Sequence, residues 1–153
     1  MTTAADYFTA DVRREIAEAI QAAERNTSGE IRAMILPRCD ADLTGRFYDQ
    51  AVREFERQGM TKTRDKTGVL ILLVLEERGF AIVGDTGIHA KLGDAYWILL
   101  AEELEAYFRI GDYVRGLIAA VTVVGCDLTR HFPRKADDRD ELPDAPIVVE
   151  DNR

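Results

Sequence analysis

Apolar and polar positions alternate along the chain with two periods, one typical of helices and one typical of strands. Residues 6–25 repeat apolar side chains every three or four positions with Arg and Glu between them, which predicts an amphipathic helix. Residues 30–36, EIRAMIL, predict the first strand. Residues 39–60 return to helical spacing and predict a second helix, with Asp42 as its cap and Gly59 at its end.

The second half of the chain predicts two further strands and two further helices. Residues 67–74, TGVLILLV, are apolar on both faces, as in a central strand that helices cover on either side. The tight connection EERG then returns the chain into FAIVG, predicted to pair antiparallel with that strand. Apolar repeats mark a third helix through residues 97–108 and a fourth through residues 110–132, with Asp112 as its N-cap.

The element order α-β-α-β-β-α-α predicts an α/β fold in which a small mixed β-sheet lies between helices. This order also sorts the loops onto two ends of the sheet. One end collects residues 26–30, Lys66, Thr67, Asp85 and the segment that begins after Phe132. The other end collects a second acidic group, Cys39, Asp40, Asp42, Glu76, Glu77 and Asp112.

The chain divides into a domain of residues 1–133 and a C-terminal segment of residues 134–153 that is acidic and contains two prolines. This segment is either a loose tail or a strap laid over the domain, in which PIVV adds an edge strand. The sequence by itself favours the loose tail.

The charge and the apolar runs exclude several classes of function. A net charge of −8 over 153 residues argues against nucleic-acid binding, which needs clustered Lys and Arg. The longest apolar run, Val69–Leu75, is too short to span a bilayer, so we expect no membrane insertion. The first residues lack the pattern of a signal peptide, and a cytoplasmic location is expected.

The stretch RGFAIVGDTGI contains the most suggestive loop, because an apolar strand ends there in Gly84, Asp85 and Gly87. A nucleotide-binding loop is not indicated, since the Lys and Ser/Thr of a P-loop are missing and the stretch ends a return strand. The two glycines allow a bend, and Asp85 is either a turn or helix-capping residue or a ligand that faces an ion.

Two other motifs point to chemistry that the rest of the pattern does not support. CDADLTG begins like a calcium-binding loop, but the twelfth position holds Ala51 in place of the required Glu. Cys39 and Arg46 suggest a cysteine phosphatase, but they are separated by one residue too many. Neither an EF-hand nor a cysteine phosphatase is predicted.

Seven segments occur in the order typical of one family: TSGEI, GMTKTRDKTGVLI, FAIVGDTGI, AYW, GLI, HFP and DDRDELPD. Together they resemble the TPM domain family, in its soluble stand-alone bacterial form, over nearly the whole chain. The resemblance implies a three-layer α/β/α sandwich and an ordered C-terminal segment. Members of this family are described as binding calcium or magnesium at an acidic depression. Some plant members are described as acid phosphatases, and others as membrane-anchored accessory proteins without a catalytic role.

The resemblance also implies a set of metal ligands. They are Glu30 of the GEI motif, Asp85 of VGD-x-GI, Asp94 at the start of the next helix, and a carboxylate of the acidic segment, Asp138. Four neighbouring residues shape that site: Lys66, Thr67, Gly84 and Gly87. Lys66 and Thr67 stand where the family usually has Arg-Asn, which weakens any phosphate-binding role.

Carboxylates gathered at one end of a sheet repel one another unless they are protonated or bridged by a cation. A hard divalent cation, Ca²⁺ or Mg²⁺, is the expected bridge. The sequence thus predicts a cation-binding interaction or accessory module that docks on a protein partner, with a membrane-anchored relative as one candidate. The alternative is a metal-dependent acid phosphatase, for which no nucleophile stands out.

Overall fold

Four strands form one mixed β-sheet in the order β3-β2-β1-β4 in the computed structural model, which describes residues 4–135 and 144–149. β1 (Glu30–Leu36) and β2 (Gly68–Val74) are parallel, and Glu30 lies opposite Gly68. β3 (Gly79–Gly84) returns antiparallel to β2, and the short β4 (Ile147–Val148) pairs parallel to β1. All three predicted strands are present, and a fourth is added from the C-terminal segment.

The helices follow the predicted order, with short additions between them. They are α1 (Ala4–Tyr7), α2 (Ala10–Glu24), α3 (Phe47–Arg57), α4 (Thr86–Leu92), α5 (Asp94–Arg109) and α6 (Tyr113–His131), with 3₁₀ turns at Ala41–Leu43 and Met60–Lys62. No helix within the described residues combines the length and the apolar composition that crossing a bilayer requires.

The sheet is covered on both faces, which makes the architecture an α/β/α sandwich. Alternate residues of β1 point to opposite sides, so that Ile31, Ala33 and Ile35 pack in the core beneath α2, α5 and α6. Met34 and Leu36 pack instead with α3. Every residue of β2 is buried, as its unbroken apolar run predicted for a central strand.

The second predicted helix begins later than expected. Ala41–Leu43 forms a 3₁₀ turn, and Gly45 follows with φ +76°, a left-handed conformation that interrupts the helix before α3 starts at Phe47. The prediction that Asp42 caps this helix is wrong, because the Asp42 carboxylate pairs with Arg53 at 2.7 Å. Asp42 thus forms an ion pair with Arg53 in the second turn of α3 and does not cap the start of that helix.

The C-terminal segment returns to the sheet in the part that the structure describes. Val149 donates its N–H to the carbonyl of Ile35 at 2.9 Å, and β4 extends the sheet beside β1. The preference for a loose tail is therefore wrong for residues 144–149, and the edge-strand alternative holds. Residues 136–143, which include the predicted ligand Asp138, lie outside the described residues.

Candidate functional site

The loops that topology assigned to one end of the sheet do meet there. Glu30 donates its N–H to the carbonyl of Thr67 at 3.0 Å, and Asp85 donates its N–H to the carbonyl of Gly68 at 2.9 Å. The Thr67 hydroxyl donates to the carbonyl of Ser28 at 3.3 Å. Backbone hydrogen bonds thus hold the starts of β1 and β2 and the end of β3 at one edge.

A buried carboxylate that the sequence reading did not single out lies at this edge. Glu24 is the last residue of α2, and only 3% of its surface is exposed. Its Oε2 accepts the N–H of Ile31 at 2.6 Å, while its Oε1 is buried and meets no hydrogen-bond donor in residues 4–135 and 144–149. Asp144 lies just before β4, and its Oδ1 is likewise buried and meets no hydrogen-bond donor in the described residues. We call Glu24, Glu30 and Asp144 the acidic corner.

The electrostatics of the acidic corner favour a proton or a cation. Burial, a hydrogen bond with Asp144 and the nearby charges of Glu30 and Asp144 raise the pKa of Glu24 far above its usual range, although the N–H of Ile31 opposes this shift. Two carboxylate oxygens can hydrogen-bond only when one carries a proton. Without a cation, Glu24 therefore holds the proton of this hydrogen bond at neutral pH.

Asp85 occupies the helix-capping position that the sequence left open beside the ligand role. Its Oδ1 accepts the N–H of Thr86 at 2.7 Å and so caps α4, while its Oδ2 is buried and meets no hydrogen-bond partner in the described part of the chain. Its role as a metal ligand stays a prediction. The same holds for Glu30, which lies in the acidic corner with 2% of its surface exposed.

Close packing fixes the loop beside Asp85. Gly87 donates its N–H to the carbonyl of Lys66 at 3.0 Å, and a Cβ on Gly87 would lie 2.4 Å from the carbonyl oxygen of Asp65. Lys66 itself adopts φ +56°, a conformation that is rare outside glycine. Gly87, Lys66 and Thr67 therefore contribute to this edge through their backbones, whereas Gly84 lies under the Trp97 ring, and the site-shaping role of these four residues stays a prediction.

Asp94 is placed apart from the acidic corner. Its carboxylate is 89% exposed and pairs with Nε2 of His89 at 3.0 Å. Nδ1 of His89 accepts the indole N–H of Trp97 at 3.1 Å, so the imidazole bridges Trp97 and Asp94. Within residues 4–135 and 144–149, no group of three or more His, Cys, Asp or Glu side chains has the arrangement that holds a metal ion. The predicted set of four ligands is thus not assembled by these residues, and Asp138 lies outside them.

Basic side chains surround a cavity next to the acidic corner. The cavity has a volume of 350 Å³, and its polar lining comes from Ser28, Asp65, Lys91, His131, Arg134 and Lys135. Arg134 donates from Nη1 to the carbonyl of Glu24 at 3.5 Å and so links the cavity to the corner. An anionic group in the cavity would lie close to a cation in the corner.

The acidic group at the opposite end of the sheet is neutralised by the protein itself. Arg53 pairs with Asp40 at 2.9 Å and with Asp42 at 2.7 Å. Glu77 accepts the N–H groups of Cys39 and Gly45, each at 2.7 Å. Burial and the neighbouring Glu77 raise the pKa of the Cys39 thiol to about 11, so no thiolate nucleophile is available there at neutral pH.

Sequence reasoning missed Glu24, although a signal for it was present, and within the acidic stretch DDRDELPD it selected Asp138 instead of Asp144. Ile16, Ile20 and Glu24 are four residues apart on the buried side of α2, so a Glu continues an apolar stripe. A carboxylate in such a position must be neutralised or bridged. Nothing local distinguished Asp144 from the other carboxylates of that stretch, because its burial depends on the pairing of β4 with β1.

Comparison with known proteins agrees with this fold. The family model described as TPM domain matches residues 1–125. The NMR structure of BA42 protein from the psychrophilic bacterium Bizionia argentinensis sp. nov. is 34% identical, covers 92% of this chain and 94% of that one, and gives a TM-score of 0.82.

Two more distant solution structures share the fold alone. The N-terminal domain of a protein from P. gingivalis has a TM-score of 0.65 at 23% identity and covers 82% of this chain and 79% of that one. The N-terminal domain of cg2496 protein from Corynebacterium glutamicum has a TM-score of 0.51 at 17% identity, with coverages of 77% and 70%. None of the curated proteins compared with the chain matches it. The family match over most of the chain, together with the layered fold, shows that this chain belongs to the TPM domain family.

Proposed function

We propose that this TPM domain is an interaction or accessory module that binds one divalent cation, Ca²⁺ or Mg²⁺, at the acidic corner. The observation that carries the proposal is the pair of buried carboxyl oxygens, Glu24 Oε1 and Asp144 Oδ1, for which the described part of the chain supplies no donor other than a proton on Glu24 itself. Buried acceptors of this kind are rare in native proteins because each costs about 1–3 kcal/mol. A hard cation would satisfy both oxygens together.

The donor set fits such a cation in kind. Carboxylate oxygens are the ligands that Ca²⁺ and Mg²⁺ prefer, and water completes their coordination. Glu24 and Asp144 would hold the ion directly, with Glu30 adding charge beside them. Asp85 remains a candidate for a further oxygen. The bound cation would replace the proton that Glu24 holds, so binding releases a proton and strengthens as pH rises.

Cation binding would act on the shape of one end of the domain. Glu24 ends α2, Glu30 begins β1 and Asp144 precedes β4, so a shared ion ties three separate segments together. This supports a role in which the cation orders a surface for a protein partner. Membrane-anchored relatives within the family are the first candidates for that partner.

A second function, metal-assisted hydrolysis of phosphomonoesters, has one observation in its favour. Lys91, Arg134 and Lys135 line the cavity beside the acidic corner, and cationic side chains of this kind can clamp phosphoryl oxygens. The hydrolase needs a nucleophile or an activated water near them. Cys39 does not provide it, because this buried thiol lies at the opposite end of the sheet. We therefore rank the module first.

Calorimetric titration of three proteins with CaCl₂ and with MgCl₂ tests the proposal. The wild type should bind saturably, and Glu24→Gln should weaken binding by tenfold or more, about 1.4 kcal/mol, because one anionic ligand is lost. The matched control is Glu77→Gln at the neutralised end, which should bind like the wild type. Equal affinities for wild type and Glu24→Gln would contradict the proposed site.

A phosphatase assay on the same samples separates the two functions. With Mg²⁺ and p-nitrophenyl phosphate, we expect no turnover above that of Glu30→Gln purified in parallel. Turnover that Glu30→Gln abolishes while its circular dichroism spectrum stays unchanged would place the hydrolase first.

A further inference from the structure

A long apolar trough follows the outer edge of β3. Phe47 and Tyr48 of α3 form one wall, and Trp97, Ile98 and Ala101 of α5 form the other. The trough consists of two adjoining cavities of 670 and 620 Å³ that share Phe47, Phe80, Ile98 and Ala101. One cavity reaches Gly84 and the other reaches Gly79, so together they span the whole strand. We call this feature the edge trough.

The floor of the edge trough presents backbone hydrogen-bonding groups. Asp85 donates its N–H to Gly68, and antiparallel pairs alternate between hydrogen-bonded and non-hydrogen-bonded. The N–H and C=O groups of Phe80, Ile82 and Gly84 therefore point away from β2. In the part of the chain that the structure describes, no strand pairs with this side of β3. Three residues thus offer the hydrogen-bonding pattern of a sheet edge.

This edge lacks the features that usually protect an edge strand. β3, GFAIVG, contains no charged residue and no proline, both of which block edge pairing in many proteins. Its end glycines let the walls approach, since a Cβ on Gly79 would lie 2.1 Å from the Phe47 ring and one on Gly84 would lie 2.4 Å from the Trp97 ring. Tyr48 and Ile98 remain 61% and 60% exposed on the rims. Apolar surface of this kind, next to free edge groups, is typical of a binding site.

We propose that the edge trough binds an extended apolar segment of a partner protein, which adds to the sheet as a fifth strand beside β3. The proposal rests on the role as an interaction module but not on the cation. Six residues of partner backbone would match Gly79–Gly84. Because α3 walls one side and α5 the other, side chains on both faces of the bound strand meet apolar surface. The segment is therefore continuously apolar and not alternating.

Charge at one end of the trough fixes a further property of the segment. Asp94 lines the trough beside Gly84 and is 89% exposed. Its carboxylate contacts Nε2 of His89 at 3.0 Å and stays accessible from the trough. At the Gly79 end, Arg78, Arg109, Glu102 and Glu105 line the trough and their charges cancel. A basic residue of the segment would therefore lie at the Gly84 end, which is the N-terminal end of a strand that pairs antiparallel with β3.

A single segment fits this trough better than a second copy of the domain. A second β3 would arrive flanked by its own α3 and α5, whose rims, Tyr48 and Ile98, would meet the rims already there. An isolated strand meets only the floor and the two walls. The occupant is accordingly a segment that is extended and free of flanking helices when it binds.

The probe is the peptide acetyl-KVIVIV-amide, added to ¹⁵N-labelled protein at low micromolar concentration in EDTA. Amide signals of Phe80, Ile82 and Gly84 should shift saturably, and their hydrogen exchange should slow about tenfold or more as the outward N–H groups are bonded. The same peptide with N-methyl groups at the backbone positions that face β3 should not bind. A peptide that begins with Glu in place of Lys should bind more weakly, because Asp94 repels it.

Two neighbouring residues of α5 supply matched variants. Ile98 and Leu99 are both 60% exposed, but only Ile98 lines the edge trough. Ile98→Lys should weaken peptide binding at least tenfold, and Leu99→Lys should leave it unchanged. Absence of binding to the wild type, equal losses in the two variants, or full binding of the N-methylated peptide would each overturn the proposal.

Two further outcomes concern the occupant and the cation. Protection of Phe80, Ile82 and Gly84 that grows with protein concentration in the absence of peptide would assign the trough to a second copy instead. Peptide binding should be the same with EDTA, with CaCl₂ and in Glu24→Gln. The peptide titration can therefore be interpreted even if no cation binds, and the cation titration can be interpreted even if no peptide binds.

Discussion

A single buried residue, Glu24, determines the chemistry that we assign to this domain. It ends α2 on the apolar stripe of Ile16 and Ile20, and its carboxyl group contacts Asp144 and the N–H of Ile31. Burial at this position raises the pKa of Glu24, so its carboxyl group holds a proton when no cation is bound. Burial makes the charged form of Glu24 unfavourable, and a bound cation would relieve that cost.

The pH dependence of stability tests this reading of Glu24. Because its pKa is higher in the folded chain than in the unfolded chain, where it is near 4.5, the folded chain holds more protons above that pH. Stability should therefore fall as pH rises through 6, 7 and 8, by up to about 1.4 kcal/mol per pH unit. In Glu24→Gln the amide donates to Asp144 without titrating. This variant should be more stable than wild type at pH 8 by about 1–3 kcal/mol in urea unfolding with EDTA.

Glu77→Gln is the control for that measurement. Burial alone would raise the pKa of Glu77, but the N–H groups of Cys39 and Gly45 hold it below its usual value. The stability that this shift provides is complete above the unfolded pKa and is lost only as pH falls through the folded value. The difference between Glu77→Gln and wild type should thus be constant from pH 6 to pH 8. A difference for Glu24→Gln that is equally constant would contradict the raised pKa.

At the scale of elements, the strands could be predicted from the sequence and the helix boundaries only in part. The apolar run of β2 and the antiparallel return of β3 follow from local pattern, and so does the cap of α6 by Asp112. The start of α3 does not, because Asp42 pairs with Arg53 and Gly45 adopts a left-handed conformation. The PIVV pattern allowed β4 as an alternative, but the choice between an edge strand and a loose tail depends on long-range pairing with β1.

The loop that shapes the site offers a prediction at this scale. In Gly87→Ala the new Cβ would meet the backbone carbonyl oxygens of Asp65 and Lys66, 2.4 Å and 2.6 Å away, so the segment before β2 has to shift. We expect a loss of about 1–3 kcal/mol in the free energy of unfolding, measured by thermal or urea denaturation. Thr86→Ala, at the exposed neighbouring position, should cost less than about 0.5 kcal/mol. Equal effects of the two substitutions would show that the Gly87 contact is not tight.

At the scale of the whole molecule, each end of the sheet carries an acidic group, and the protein neutralises only one of the two. At one end Arg53 pairs with Asp40 and Asp42, and backbone N–H groups satisfy Glu77. At the other end Glu24 and Asp144 have buried oxygens that meet no donor in the described residues. The topology read from the sequence placed Asp40, Asp42 and Glu77 at the first end, and it placed the loops around Glu24 at the other without naming Glu24 itself. It could not tell which group is neutralised, since that depends on side-chain contacts across the fold.

An NMR titration with CaCl₂ tests the account most directly, because each end of the sheet has an amide bonded to a carboxylate. The N–H of Ile31 donates to Glu24, and the N–H of Gly45 donates to Glu77. We predict that the Ile31 signal moves saturably as the cation replaces the proton on Glu24, while the Gly45 signal stays in place. Movement of Gly45 with Ile31 unchanged, or no saturable movement of either signal, would contradict the account.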